Sequence, residues 1–170
     1  RPFHPGDVPL LDPQELILPP YLVDCPEGRE ELSRFFGEVT HVDRAVGRIL
    51  AWLDAQALSG ETLVIFTTDH GIAMPLAKGT LYDPGLECAM IMRWRGMIPE
   101  GSRIECLISN VDFFPSLLTA VEGKDSLPLG LDGRDFWPRV VGGSCTARQQ
   151  IFAEMTWADY YQPMRCVRTE

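Results

Sequence analysis

An α/β fold is what this sequence predicts, and three features predict it. A long stretch with apolar residues at helical spacing, residues 27–58, runs directly into a short, almost wholly apolar segment, TLVIFTT at 62–68. Two more apolar runs, ECAMIMRW at 87–94 and IECLI at 104–108, precede a second helix-like stretch at 111–122. A Gly- and Pro-rich segment at 123–146 then leads into two further runs, 149–158 and 164–169. A helix followed at once by a continuous apolar run is the order of an α/β sheet whose strands are buried and parallel.

The first 26 residues hold seven prolines: Pro2, Pro5, Pro9, Pro13, Pro19, Pro20 and Pro26. Proline fixes φ and removes a donor, so an extended, irregular lead-in is expected. In 27–58, Leu32, Phe35, Phe36, Val39, Val42, Val46, Ile49, Leu50 and Leu53 recur three and four apart, which predicts one amphipathic helix. Glu27, Glu30 and Glu31 suit its positive end, and Ser59-Gly60 can close it. His41 and Asp43 fall within it and read as a partly exposed polar face. The run 111–122, VDFFPSLLTAVE, tolerates Pro115 if that residue lies in the first turn. Residues 123–146 read as a linker or folded-back loop, and the last two runs as antiparallel strands.

Composition narrows the function. The chain has 170 residues, 45% hydrophobic and 23% charged, and a net charge of −9. That is globular composition, sized for one domain or part of a larger one. The acidic balance argues against an electrostatic nucleic-acid binder. No run approaches the ~18 consecutive apolar residues of a membrane span. Five cysteines, with no CxxC among them, form neither a disulfide framework nor a zinc ribbon.

The sharpest chemistry lies at the end of the first predicted strand, Thr67-Thr68-Asp69-His70-Gly71. Ligands of open α/β sheets bind beyond the carboxyl ends of strands. A carboxylate followed at once by an imidazole can reach one metal ion from adjacent positions. The same residues also fit a plain turn that Asp69 caps. Lys78, nine residues beyond Asp69 in a loop with Pro75 and Gly79, can hold an anionic oxygen or simply face water.

These residues carry a resemblance. Glu61–Gly85, ETLVIFTTDHGIAMPLAKGTLYDPG, is similar to the C-terminal half of a sulfatase, in the alkaline-phosphatase superfamily. Upstream, Pro19-Pro20-Tyr21-Leu22, Arg29, His41-Val42-Asp43 and Val46-Gly47 resemble the family's approach to this strand. Downstream, Asn110–Leu118, Asp132-Gly133-Arg134-Asp135, Phe136-Trp137-Pro138 and Met164–Thr169 resemble its later segments. Among subfamilies the heparan N-sulfatase (sulfamidase) pattern looks nearest. The resemblance implies a sulfatase-like sandwich: the C-terminal part of a large mixed sheet with flanking helices, then the start of a small antiparallel sheet. It divides the chain into 1–125 of the catalytic domain, a connecting segment 126–148, and the start of a small subdomain at 149–170.

By the same resemblance, Asp69 and His70 are ligands of a divalent metal, with calcium first and manganese or zinc as alternatives. Lys78 is the residue that binds the sulfate group and assists catalysis. The family's nucleophile is a formylglycine made within a Cys/Ser-x-Pro/Ala-x-Arg motif. None of the five cysteines fits: Cys25-Pro26-Glu27-Gly28-Arg29 has its proline at the wrong offset. The family's paired N-terminal aspartates are also missing, and His4 follows Arg-Pro-Phe too late to stand in for its histidine. The expectation is therefore a C-terminal portion of a sulfuric ester or sulfamate hydrolase, inactive alone, with the formylglycine outside this chain. Its partner would be a sulfated small molecule or sulfated sugar, with no nucleic acid and no membrane. A homo-oligomer of the parent is left open, and so is the compartment: lysosomal, extracellular or periplasmic by resemblance, with the cytoplasm not excluded. Two alternatives stand beside this reading: a phosphodiesterase or phosphonate hydrolase of the same superfamily, and a non-catalytic sulfatase-like binding module. Trp52, Trp94, Trp137 and Trp157 can line a sugar site or pack in the interior.

Overall fold

The computed structural model describes residues 10–157 and 160–169. His4, the prolines at 2, 5 and 9, and Ala158 of the predicted strand lie outside the described residues. The lead-in is irregular as expected, apart from one 3-10 turn at Pro13–Glu15 capped by the Asp12 carboxylate.

Helix α1 spans Pro26–Ala55. Cys25 is its cap: the thiol sulfur accepts from the Gly28 amide, and Pro26 takes the first helical position. Arg29, one turn in, grips the Asp24 carboxylate and donates to the carbonyls of Pro13 and Leu16. Ser33 donates to the Leu11 carbonyl at 2.6 Å. These bonds give the proline-rich lead-in a fixed path along the helix. The helix ends before the predicted Ser59-Gly60. Ala57 takes a left-handed φ of 57°, and the Leu58 amide reaches back to the Leu53 carbonyl at 2.9 Å, the closing pattern usually given to glycine.

Strand β1, Val64–Thr67, pairs with β2, Met90–Arg93, in antiparallel register, Val64 opposite Arg93 and Thr67 opposite Met90. This corrects the expected parallel arrangement. The 68–89 connection holds only the four-residue helix α2, Asp83–Leu86, so it returns the chain beside β1 instead of carrying it over the sheet. Thr68 and Ala89 then extend the ladder with two hydrogen bonds, Thr68 amide to Ala89 carbonyl at 3.2 Å and Ala89 amide to Thr68 hydroxyl at 3.0 Å. β2 is shorter than the run 87–94, because Glu87 still belongs to the end of α2.

The run 104–108 forms no strand. Only Leu107 pairs, as a single antiparallel bridge with Arg148. Its apolar side chains serve packing: Ile104 and Ile108 lie against the core. Helix α3, Phe113–Glu122, follows a 3-10 turn at Asn110–Asp112, with Pro115 in its first turn as expected. The Gly- and Pro-rich segment is more than a linker. It forms helix α4, Trp137–Val140, and contributes the buried centre of the core, Phe136, Trp137 and Val140. Trp94 stacks obliquely on Trp137 at 5.9 Å, and Phe113 meets Phe136 edge-on at 6.0 Å.

The chain closes with a hairpin of β3, Gln150–Trp157, and β4, Tyr161–Thr169, antiparallel as predicted. A bulge between Met155 and Trp157 shifts the phase, so that Trp157 pairs with Tyr161. Trp137 is thus interior and Trp94 packs half-buried against it, while Trp52 and Trp157 are exposed. The described residues contain two separate two-stranded sheets, not one large mixed sheet. No helix among them is long and apolar enough to cross a membrane.

Candidate functional site

β1 delivers its last residues to a tight turn, Asp69-His70-Gly71. The two bonds between Thr68 and Ala89 fix one side of this turn, and the Gly71 amide, bonded to the Gly85 carbonyl at 3.2 Å, fixes the other. The approach at Gly71 is very close. A Cβ there would stand 1.7 Å from the Pro84 carbonyl oxygen, so only glycine lets α2 lie against the turn.

Asp69 is exposed, and its carboxylate caps no turn among the described residues. Its polar partner among the described residues is His70, with Nε2 3.4 Å from Oδ2. The other ring nitrogen, Nδ1, lies 2.8 Å from the Gly71 carbonyl oxygen. A carbonyl can only accept, so Nδ1 carries the proton and Nε2 of the neutral ring keeps its lone pair. That lone pair and a carboxylate oxygen face each other. They can share a proton, or they can hold a cation. Ligand bonds of roughly 2.0–2.2 Å place adjacent donors about 3 Å apart, so the observed spacing suits two neighbouring corners of one ion. Fixing of the ring by a carbonyl on Nδ1 is the usual support of a metal-bound histidine. Among the described residues no third His, Cys, Asp or Glu completes the set.

Lys78 sits on the loop that leaves this turn. Its amide donates to the Ile72 carbonyl at 3.0 Å, which returns the chain to within two residues of His70. Leu76 at φ 63° and Gly79 at φ 75° make the bends, and Ala77 between them is fully buried. Thr80 ties the loop together by donating to Ala77 and Leu76. The backbone at Lys78 is therefore held while its side chain is exposed, with no hydrogen bond or ion pair among the described residues. The structure brings the peptide segments of Asp69, His70 and Lys78 into one compact loop.

A second polar centre was not legible as such. Asp112, 2% exposed, accepts from the Ser109 amide at 2.8 Å, the Arg134 amide at 2.7 Å and the Arg148 guanidinium in a two-pronged pair. Burial by itself would raise its pKa. The hydrogen bonds from Arg148, Arg134 and Ser109 outweigh that and hold it below the usual carboxylate value. This carboxylate is saturated and structural. His41 and Asp43 lie on α1, away from either centre in the sequence, with His41 partly covered and Asp43 exposed.

With this geometry in place, comparison with known proteins decides the family. The sulfatase family pattern matches residues 13–123. This chain belongs to the sulfatase family. Human arylsulfatase A is 31% identical over 147 residues, covering 79% of this chain and 29% of its own length. An ulvan-active sulfatase of Formosa agariphila is 30% identical over 135 residues, 74% of this chain and 26% of the relative. Human N-sulphoglucosamine sulphohydrolase is 30% identical over 114 residues, 63% and 22% of the two chains. These are sulfatases of different kinds at nearly equal identity, so no subfamily stands out. The solved structure of yidJ from Bacteroides fragilis superposes with a TM-score of 0.72 at 25% identity, covering 87% of this chain and 34% of that one. The chain thus spans under a third of the length of these curated relatives. Members of the family hydrolyse sulfuric esters.

Proposed function

We propose that this chain supplies part of the active site of a metal-dependent sulfuric ester hydrolase, with Asp69 and His70 as metal ligands and Lys78 as the residue that grips the sulfate. The observation that carries the reading is the facing pair, His70 Nε2 and Asp69 Oδ2, at the carboxyl end of β1 in a chain of the sulfatase family. A bound divalent cation would neutralise charge on the sulfuryl oxygens. The residues here do the rest of what is proposed. The Gly71 carbonyl keeps the imidazole in its ligating tautomer. The held backbone at Lys78 offers an ammonium, unpaired among the described residues, to a sulfuryl oxygen, where fixed positive charge stabilises the transition state. The carboxylate favours calcium, whereas the imidazole nitrogen favours manganese or zinc. That nitrogen is also what keeps a phosphodiesterase reading beside the sulfatase one.

Sulfated polysaccharides are the class of substrate suggested by relatives such as the ulvan-active sulfatase. No cysteine of this chain lies in a formylglycine motif, so the reading assigns the nucleophile to a segment outside these residues. The test uses the native protein that carries this chain, produced with a formylglycine-generating enzyme. Release of sulfate from an aryl sulfate and turnover of an aryl phosphodiester are compared, each with calcium or manganese. Sulfate release that falls about 10²–10³-fold in Lys78→Ala is the expected result. Preference for the phosphodiester would overturn it.

A further inference from the structure

The terminal hairpin is attached to the rest of the protein in an unusual way. Among the described residues, no helix or other strand lies against its backbone. It is joined instead through its open end. The register places Ile151 opposite Arg168, so Arg148 and Arg168 both emerge near the base of the hairpin. Each arginine finds a carboxylate at the start of a different helix. Arg148 takes Asp112, just before α3, and the Leu107–Arg148 bridge sits beside it. Arg168 takes Asp83, the first residue of α2, with Nε 3.0 Å from Oδ1. These last two residues are 85 apart in sequence.

The second of these pairs bears on the candidate site. Asp83 begins the helix whose next two carbonyls abut the metal turn: Pro84 closes on Gly71, and Gly85 accepts the Gly71 amide. Gly71 in turn orients the His70 ring through its own carbonyl. A continuous set of contacts therefore runs from Arg168 through Asp83, α2 and Gly71 to the imidazole. Asp83, Arg168 and Thr67 also line one open cleft of about 640 Å³, which places the ion pair on the same side of the molecule as the end of β1. An exposed ion pair does little for global stability. Here its position gives it a local role, because α2 is only four residues long and its start has no side-chain cap.

We propose that Arg168 is a positioning residue for the Asp69-His70-Gly71 turn, acting through Asp83 and α2. Its consequence for the metal rests on the function proposed above, whereas the coupling itself does not. Amide hydrogen exchange in the native protein, without added metal, tests the coupling. The variants are Arg168→Gln, Asp83→Asn, the double variant and Arg168→Lys. Exchange of the Gly71 amide should quicken about two- to fivefold in either single variant, the range an exposed pair can supply. The double variant should be no faster than the singles, and Arg168→Lys should recover part of the protection. Protection in α1 should stay at the wild-type level. Unchanged Gly71 exchange in both single variants would overturn the proposal, and so would a loss of protection spread equally over α1. Calorimetric titration with calcium and with manganese then reads the consequence. Where the wild-type protein binds the ion, Arg168→Gln should weaken binding by a similar factor. Because the exchange measurement needs neither metal nor turnover, it decides the coupling even if the sulfatase reading fails.

Discussion

Asp69 and Asp112 are both aspartates at the edge of a secondary-structure element, yet they sit in opposite circumstances. Asp112 is buried and surrounded by donors: two backbone amides and a two-pronged arginine. Asp69 is open to solvent, and its neighbour is the His70 ring nitrogen Nε2 at 3.4 Å. One carboxylate has every acceptor position occupied and joins three chain segments. The other is rigidly presented by its backbone and open to water. The contrast teaches how a fold separates holding from presenting: the rigidity at Asp69 comes from the main chain around Thr68, Gly71 and Gly85, which leaves its side chain free for the ligand role proposed above.

That contrast can be broken from the Asp112 side first. Asp112→Ala leaves the half-buried Arg148 with the Asp132 carbonyl but no counter-charge, and loss of about 3–5 kcal/mol is expected by chemical denaturation. Loss below 1 kcal/mol would mean that the pair is not a joint. Next in size is Gly71→Ala. The added methyl collides with the Pro84 carbonyl, and destabilisation near 3 kcal/mol should follow, whereas Gly47→Ala, with nothing within 4 Å, should be neutral or stabilising. Equal effects of the two would show that α2 does not press on the turn.

The pH dependence follows from the depressed pKa of Asp112. Its contribution to stability is complete above the ordinary carboxylate value of 3.8 and is lost as pH falls below that value through the folded-state pKa. Wild-type protein should therefore lose stability more steeply on that acid limb than Asp112→Asn, measured by denaturant midpoints across the range. The smallest expected effect is Asp69→Asn, within about 0.5 kcal/mol of wild type in stability. A large loss there would turn Asp69 into a second structural aspartate and remove the contrast.

The sequence made part of this legible. Helix α1 and strand β1 were readable because local pattern governs them: apolar spacing of three and four in one, a β-branched run in the other. The Asp69-His70 turn was readable because it ends that strand, and the loop that carries Lys78 because Pro75 and Gly79 flank it. The antiparallel return of β2 was not readable, since strand direction depends on what the 68–89 connection does in space. The run 104–108 misled for a related reason. Five apolar-rich residues satisfy a strand pattern, but Ile104 and Ile108 spend it on the Trp137 core and only Leu107 meets a partner. Arg148 gave no signal at all. Its partner lies 36 residues away, and no period links an arginine after a Gly-rich segment to an aspartate before a helix. The core role of Phe136 and Trp137 was hidden by the prolines and glycines around them.

The contacts around Asp112 also have a consequence for the order of assembly. They are nested. The Phe136 amide meets Ser116 across 20 residues, the Arg134 amide meets Asp112 across 22, and Arg148 meets Asp112 across 36. Closing a flexible 36-residue ring from the open chain costs about 3 kcal/mol of entropy in the simplest polymer estimate. With the inner rings already closed, only the short remainder between Arg134 and Arg148 has to be gathered, and the outer closure becomes a local event. The arginine that anchors the hairpin is then the last stitch of a zipper that starts at Ser116, so the hairpin should dock late, after the core that it borders.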